Sequence, residues 1–247
     1  KADPSRPVFL NLGQGVAWDD YIGRGVRRNH PEDYAEYVKS GDIVSFDIYP
    51  VAHSKPEVKG NLWYVPHGVE RLRGWAGPKR VVWNCIETTN ISADTKATPA
   101  QVRSEVWMSL IHGSRGIIYF VHQFRPQSNE HALLDDPEML AAVTVLNAQI
   151  TRFAPVLNTP PDSQAVKAVS SNAEVPVDIS SHRVKRDLYV FAAAMRGAAT
   201  SSKFTLKGIK SGTVEVIDEG RTIKVAGGTF EDAFEPWGVH LYRISPK

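Results

Sequence analysis

The sequence predicts an α/β unit of four consecutive β-then-α repeats, followed by an all-β antiparallel domain. Three observations carry this. Apolar, β-branched runs alternate four times with stretches of helical period before Leu157, and repeats of that kind imply parallel strands joined by right-handed crossovers. The strand-like runs are near-continuously apolar, as in a sheet covered on both faces. Beyond Ser163 the helical period gives way to short alternating runs between glycine-rich turns, the pattern of an antiparallel β-sandwich.

Taken in order, PVFLNLG (Pro7–Gly13) reads as a strand. HPEDYAEYVKSGD (His30–Asp42) reads as a helix, acidic early and closed by Gly41. IVSFDIYP (Ile43–Pro50) is a second strand, stopped by its proline. YVPHGVERLRGWAG (Tyr64–Gly77) is a helix with Val65, Val69 and Leu72 at helical spacing. RVVWNCIE (Arg80–Glu87) is the third strand. TPAQVRSEVWMSLIHGS (Thr98–Ser114) is a helix that Thr98 can cap and that Pro99 suits in its first turn. Val102, Val106, Met108, Leu110 and Ile111 supply its apolar side. GIIYFVHQF (Gly116–Phe124) is the fourth strand, and Asp136–Leu157 a long fourth helix. The proline-rich NTPPDS places a first domain at 1–158, a linker at 159–162 and a second domain at 163–247. The second domain's strand-like runs are AVKAVSS, LYVFAAAMRG, SKFTLKG, GTVEVIDEG, RTIKVAGGTFEDAF and GVHLYRIS.

Composition narrows the function classes. The 247 residues, 42% hydrophobic and 23% charged, carry a net charge of +2, ordinary for a globular chain. No arginine-rich helix or basic patch points to nucleic acid. No apolar run nears the roughly 18 residues of a membrane span, and KADPSRPVF lacks the apolar core of a signal peptide. The single cysteine, Cys85, excludes an internal disulfide and a multi-cysteine zinc site. Inside a strand it reads as a buried, inert thiol. The histidines show no metal-binding spacing, so no metal and no cofactor are expected. No G-x-G-x-x-G turn follows a strand, which disfavours a dinucleotide fold. HGSRG falls short of G-x-S-x-G and sits at a helix end, so a serine esterase has no motif behind it.

One residue stands out. RVVWNCIETT ends a core strand on an acid, Glu87. It is either a solvated residue at the start of a loop or a catalytic carboxylate at the mouth of an α/β barrel.

VVWNCIETT followed by QVRSEVWMSLIHGSRGIIYFVHQF resembles the last two βα units of clan A glycoside hydrolases, and FEPWGVHLYRI resembles the closing strand of their C-terminal β-sandwich. DPSRPVFLNL and DIVSFDIYP look like the fifth and sixth strands with their lead-ins. The resemblance implies half of a TIM (β/α)8 barrel, units five to eight, followed by the sandwich. Active sites of such barrels gather at the C-terminal strand ends, and the family's nucleophile, carried over, lands on Glu87. Retaining hydrolysis also needs an acid/base carboxyl about 5–5.5 Å away. The family places that residue after the fourth strand, which KADPSRP, resembling the end of the fourth helix, leaves outside this sequence.

Further site residues follow from the resemblance. Asp47 is a candidate for sugar hydroxyls and Tyr49 for a bond to the nucleophile; a capping Asp and a packed Tyr are the plain alternatives. Gln14 is a candidate for hydroxyls and Trp18 for stacking on a sugar face, with a packed loop anchor as Trp18's alternative. Asn84, if inward-facing, could orient a partner group. Phe120 or Phe124 could serve as an aromatic platform. His122 could contact substrate or be a hydrogen-bonded core histidine.

The expected activity is therefore retaining, double-displacement cleavage of glycosidic bonds in a carbohydrate, with the acid/base half supplied elsewhere. An uncovered half-barrel would expose sheet edges and an apolar face. The expected partner is an N-terminal half-barrel polypeptide or a second copy forming a homodimer. The alternative is a half-barrel assembly with residual, promiscuous (for example esterase) or no activity. The resemblance favours a secreted or periplasmic protein.

Overall fold

The computed structural model describes residues 5–246. Lys1–Pro4, part of the stretch read as the end of a preceding helix, lie outside them. The chain divides into two compact units, residues 1–141 and 142–247.

The first unit holds β1 (Phe9–Leu12), α1 (Tyr34–Tyr37), β2 (Ile43–Asp47), α2 (Tyr64–Ala76), β3 (Val81–Glu87), α3 (Pro99–Ile111) and β4 (Gly116–Phe120). The strands form one parallel sheet in the order β1-β2-β3-β4, as the alternation of strand and helix periods predicts. Two expectations are corrected in extent. The helix expected over His30–Asp42 is α-helical only in α1, with 3₁₀ turns at Pro31–Asp33 and Val38–Ser40. A stretch of about ten residues is too short to sustain an α-helix by its own propensity, and Gly41 leaves it in extended backbone. β4 stops at Phe120, and His122–Phe124 continue as a loop bridged at Gln123–Asn129.

α2 and α3 follow their sequence signals closely. Val65, Val69 and Leu72 of α2 are fully buried, each worth about 1.5–3 kcal/mol by removal from water. Gly68 lets α2 approach β2: a Cβ there would stand 2.3 Å from the Phe46 ring. At the start of α3 the Thr98 hydroxyl accepts the Gln101 N–H and the Gln101 side chain accepts the Thr98 N–H, a complete capping box with Pro99 in the first turn. α3 is buried on most of its circumference, including Ser104, Glu105 and Ser109.

The long helix α4 (Pro137–Leu157) begins in the first unit and lies mostly in the second. Within the second unit its Phe153 packs edge-on against Phe191 at 5.7 Å, and its Arg152 and Gln149 both bond the Asp218 carboxylate. By length and mean hydropathy, 1.3 over its best window, α4 also matches a membrane span. This corrects the expectation that no apolar run is that long: Thr144, Asn147, Gln149 and Arg152 interrupt the apolar residues without lowering the mean hydropathy below that of a span.

The second unit adds β5 (Val166–Ser170), β6 (Val177–Val184), β7 (Asp187–Ala194), β8 (Thr200–Leu206), β9 (Gly212–Val216), β10 (Arg221–Val225), β11 (Thr229–Phe234) and β12 (Val239–Pro246). They form a five-stranded sheet, β10-β9-β12-β7-β6, and a three-stranded sheet, β11-β8-β5, both antiparallel. Phe204 of the smaller sheet stacks on Phe230 at 4.6 Å and meets Tyr242 of the larger sheet edge-on at 5.4 Å, so aromatic rings join the two layers. The buried Tyr242 hydroxyl donates to Asp232, which also takes a bidentate pair from Arg221 at 2.8 Å. The strand β6 escaped the sequence reading: Asp178, Ser180, Ser181, His182 and Arg183 break its alternation, as an edge strand paired only with β7 tolerates.

Candidate active site

The rungs of the parallel sheet set the site. Asn11, Ser45, Trp83 and Gly116 lie in one register, and Asp47, Cys85 and Ile118 in the next. Alternation puts these on one face. On the other face Phe46 meets Gly68 of α2 and Asn84 donates to Ser109 of α3, which marks it as the helix side. The first face is therefore the inner one, and Glu87 continues its alternation at the C-terminal tip of β3.

Glu87 is wholly buried. Its two oxygens accept the backbone N–H groups of Val51 (2.7 Å) and Ala52 (2.8 Å), in the loop after β2. Thr95 ties that loop back by donating to the Val51 carbonyl at 2.7 Å. Against Glu87 stands a second acid that the sequence reading overlooked. Glu105 of α3 is also wholly buried, and no N–H or hydroxyl is offered to its carboxyl oxygens. Burial, then the Glu87 charge, then a hydrogen bond to Glu87 push the Glu105 carboxyl well above its ordinary range. Burial pushes Glu87 up as well, to about 7, against the two backbone N–H groups and the Glu105 bond that favour its charge. Both directions agree on one arrangement. Glu105 keeps its proton and donates it to Glu87 in a hydrogen bond, because two adjacent carboxyls out of water cannot both ionise. The signal for Glu105 was present in the sequence: it shares the buried stripe of Val102, Val106 and Ser109, where an acid is out of place.

The other expected residues fall into groups. Asp47 accepts from Asn11 Nδ2 at 3.0 Å. Burial raises its carboxyl, partly offset by that bond and by the Arg24 charge. Tyr49 packs on Phe120 at 5.1 Å between ring centres. Burial, with Asp47 and Cys85 beside it, drives its phenol far above the ordinary value. The Cys85 thiol is buried and pushed up to about 12, mainly by desolvation, which makes it inert. These residues share the inner face with Glu87.

Gln14 and Trp18 gather around a histidine instead. The Gln14 amide oxygen accepts from His53 Nε2 at 2.8 Å, and His53 Nδ1 accepts the Lys55 N–H at 3.1 Å. This pattern fixes a neutral ring with its proton on Nε2, and burial lowers its pKa. Trp18 is 8% exposed and meets His53 edge-on at 5.1 Å. It is packed as a loop anchor and offers no free stacking face. Asn84 is not inward-facing: it is buried on the helix side, 2.9 Å from Ser109 Oγ. His122 lies beyond β4 against Phe124, 4.1 Å between ring centres, with Phe124 about half exposed. Among the described residues no group of three or more His, Cys, Asp or Glu is placed to hold a metal.

No known protein family and no curated protein matches the chain by sequence. Solved structures do match it in fold. An apo exo-carrageenase GH42 from Bacteroides ovatus is 9% identical, with a TM-score of 0.58 over 99% of this chain and 53% of that one. A noncanonic maltogenic α-amylase, AmyB from Thermotoga neapolitana, is 9% identical, with a TM-score of 0.52 over 86% and 53%. AmyP, solved with maltose, is 9% identical, with a TM-score of 0.50 over 92% and 71%. The chain thus spans about half the length of the first two. At this identity the likeness is one of fold, and the fold of this chain is a partial (β/α) barrel with an antiparallel β domain.

Proposed function

We propose that the chain contributes half of a retaining glycoside hydrolase barrel, 1–158, joined through 159–162 to the sandwich at 163–247, with Glu87 as nucleophile. The observation that carries this reading is a carboxylate at the C-terminal tip of β3, oriented by two backbone N–H groups and backed by a proton-bearing carboxyl. In the reaction Glu87 attacks the anomeric carbon and the glycosidic bond breaks. An acid carboxyl protonates the leaving oxygen, and water then cleaves the glycosyl–Glu87 ester. That acid comes from four further βα units, carried by an N-terminal half-barrel, in a separate polypeptide or a longer form of this one, or by a second copy of the chain. The open edges β1 and β4 of the described sheet support such a complement. Asp47, Asn11 and Phe120 would bind the sugar from the inner face, Tyr49 would steady the nucleophile, and His122 with Phe124 would border the entrance.

A second reading has its own observation. Glu87 is wholly buried with both oxygens engaged, as suits a carboxyl pair that organises a non-catalytic assembly. One experiment separates the two. The assembled protein is assayed on aryl glycosides and, for promiscuous hydrolysis, on aryl esters, beside Glu87→Gln. The glycosidase reading expects a loss of at least about 10³-fold in kcat on the glycosides, with an unchanged circular dichroism spectrum. Equal turnover by both proteins, or none by the wild type, favours the second.

A further inference from the structure

A cleft of about 300 Å³ opens beside the C-terminal end of β1, among Asn11, Tyr21, Arg24, Arg28 and Tyr34, a volume near the lower end for ligand sites. The loop that builds it, IGRGVRRNH (Ile22–His30), is folded back on itself. The Asn29 N–H donates to the Ile22 carbonyl at 2.7 Å, and Gly23, Gly25 and Asn29 take positive φ. Tyr34 stacks on Trp75 at 5.4 Å and brings its hydroxyl over Gly15, where an added Cβ would come within 2.3 Å of it.

The charges of this cleft do not balance. Arg27 is held by Asp33, which also accepts from Tyr37, and His30 bonds Glu32. Asp19, the acid in the wall, is committed to Arg71 at 2.7 Å. Among the described residues Arg24 and Arg28 have no carboxylate partner, and Asp47, whose carboxyl feels the Arg24 charge, is held by Asn11. Arg24 and Arg28 therefore add unbalanced positive charge to the lining of a concave, tyrosine-lined space. A guanidinium offers a planar fork of donors that fits carboxylate and sulfate oxygens two at a time.

We propose that this cleft is a subsite for an anionic sugar, with Arg24 and Arg28 gripping its carboxylate or sulfate group and the Tyr21 and Tyr34 hydroxyls bonding the ring. The inference rests on reading the C-terminal strand ends as the substrate side, and it narrows the substrate to an acidic glycan. The unit supplies the shared anion chemistry, and the two sources, a uronic acid or a sulfate ester, are separated by the test.

The experiment is calorimetric titration of the Glu87→Gln protein with three disaccharides: one ending in a uronate, one carrying an O-sulfate, one neutral. Binding is read without turnover, so failure of Glu87 as nucleophile leaves this result intact. The expected result is that one of the two anionic sugars binds at least about 10-fold more tightly than the neutral one. That preference is expected to disappear in Arg24→Gln/Arg28→Gln, to shrink as salt is raised, and to persist in Arg115→Gln, an exposed arginine outside the cleft. Whichever anion is preferred identifies the substituent. Equal binding of all three sugars, no binding of any, or an anion preference that survives the double substitution overturns the proposal.

Discussion

Glu105 works by not being charged. A carboxyl whose folded pKa is raised stabilises the fold fully below its unfolded value, and that contribution is lost as pH rises through the folded value. For Glu87 the rise to about 7 amounts to roughly 3 kcal/mol across that window, and Glu105 is raised well above its ordinary range beside it. The wild type is therefore expected to lose stability as pH rises from about 4.5 through about 7. Glu105→Gln keeps a donor beside Glu87 and removes the acid. It is expected to melt with the wild type near pH 4 and several degrees above it at pH 8, measured by thermal unfolding in matched buffers. The same substitution bears on Glu87: with a neutral amide donor fixed in place, the Glu87 carboxyl titrates alone. The Glu105 bond favours the Glu87 charge and an amide is a weaker donor than a carboxylic acid, so if Glu87 is the nucleophile the acid limb of the activity profile moves to higher pH. A merely structural Glu105 would leave that limb where it was.

At the scale of the element, α3 shows which local rules carried weight. Its capping box satisfies N–H groups at the helix start that would otherwise lack partners. Thr98→Ala is expected to cost about 1 kcal/mol, a fall of roughly 2–4 °C in Tm for a chain of this size. Thr98→Ser should restore most of it, and a scan of the three proteins decides. Thr98, Pro99 and the apolar residues of α3 were legible because capping and helical period are local properties. So were α2 and the four parallel strands. What stayed hidden was set by distant neighbours. Glu105 lies on the apolar stripe of α3, but the partner that keeps it there, Glu87, is distant in sequence. Asn84 looked like a site residue because its sequence neighbours are, yet one step along a strand turns a side chain to the opposite face, and Asn84 spends its amide on Ser109. Trp18 had the chemistry of a sugar platform, but it is packed edge-on with His53, 35 residues on. β6 lacked alternation because an edge strand with mixed surroundings does not need it.

At the scale of the whole molecule, the parallel sheet poses a question of completion. β1 and β4 each pair on one side only, and Val8, Phe9 and Val81 are 40–47% exposed. Unpaired edges with apolar flanks invite further strands. Light scattering of the purified protein is expected to give a mass above that of one chain, as a homodimer or as a complex with an N-terminal half-barrel. A monodisperse single chain, stable on dilution, would contradict the proposed complement. The lone thiol offers a view of this from inside. Cys85 lies between β2 and β4, beside Tyr49 and two residues before Glu87. Buried and held as the neutral thiol, it is shielded from a disulfide reagent until the strands around it part. In a chain with one cysteine, the labelling rate becomes a clock for the opening of that sheet alone, undisturbed by the antiparallel unit. A complement that closes the barrel would slow the clock.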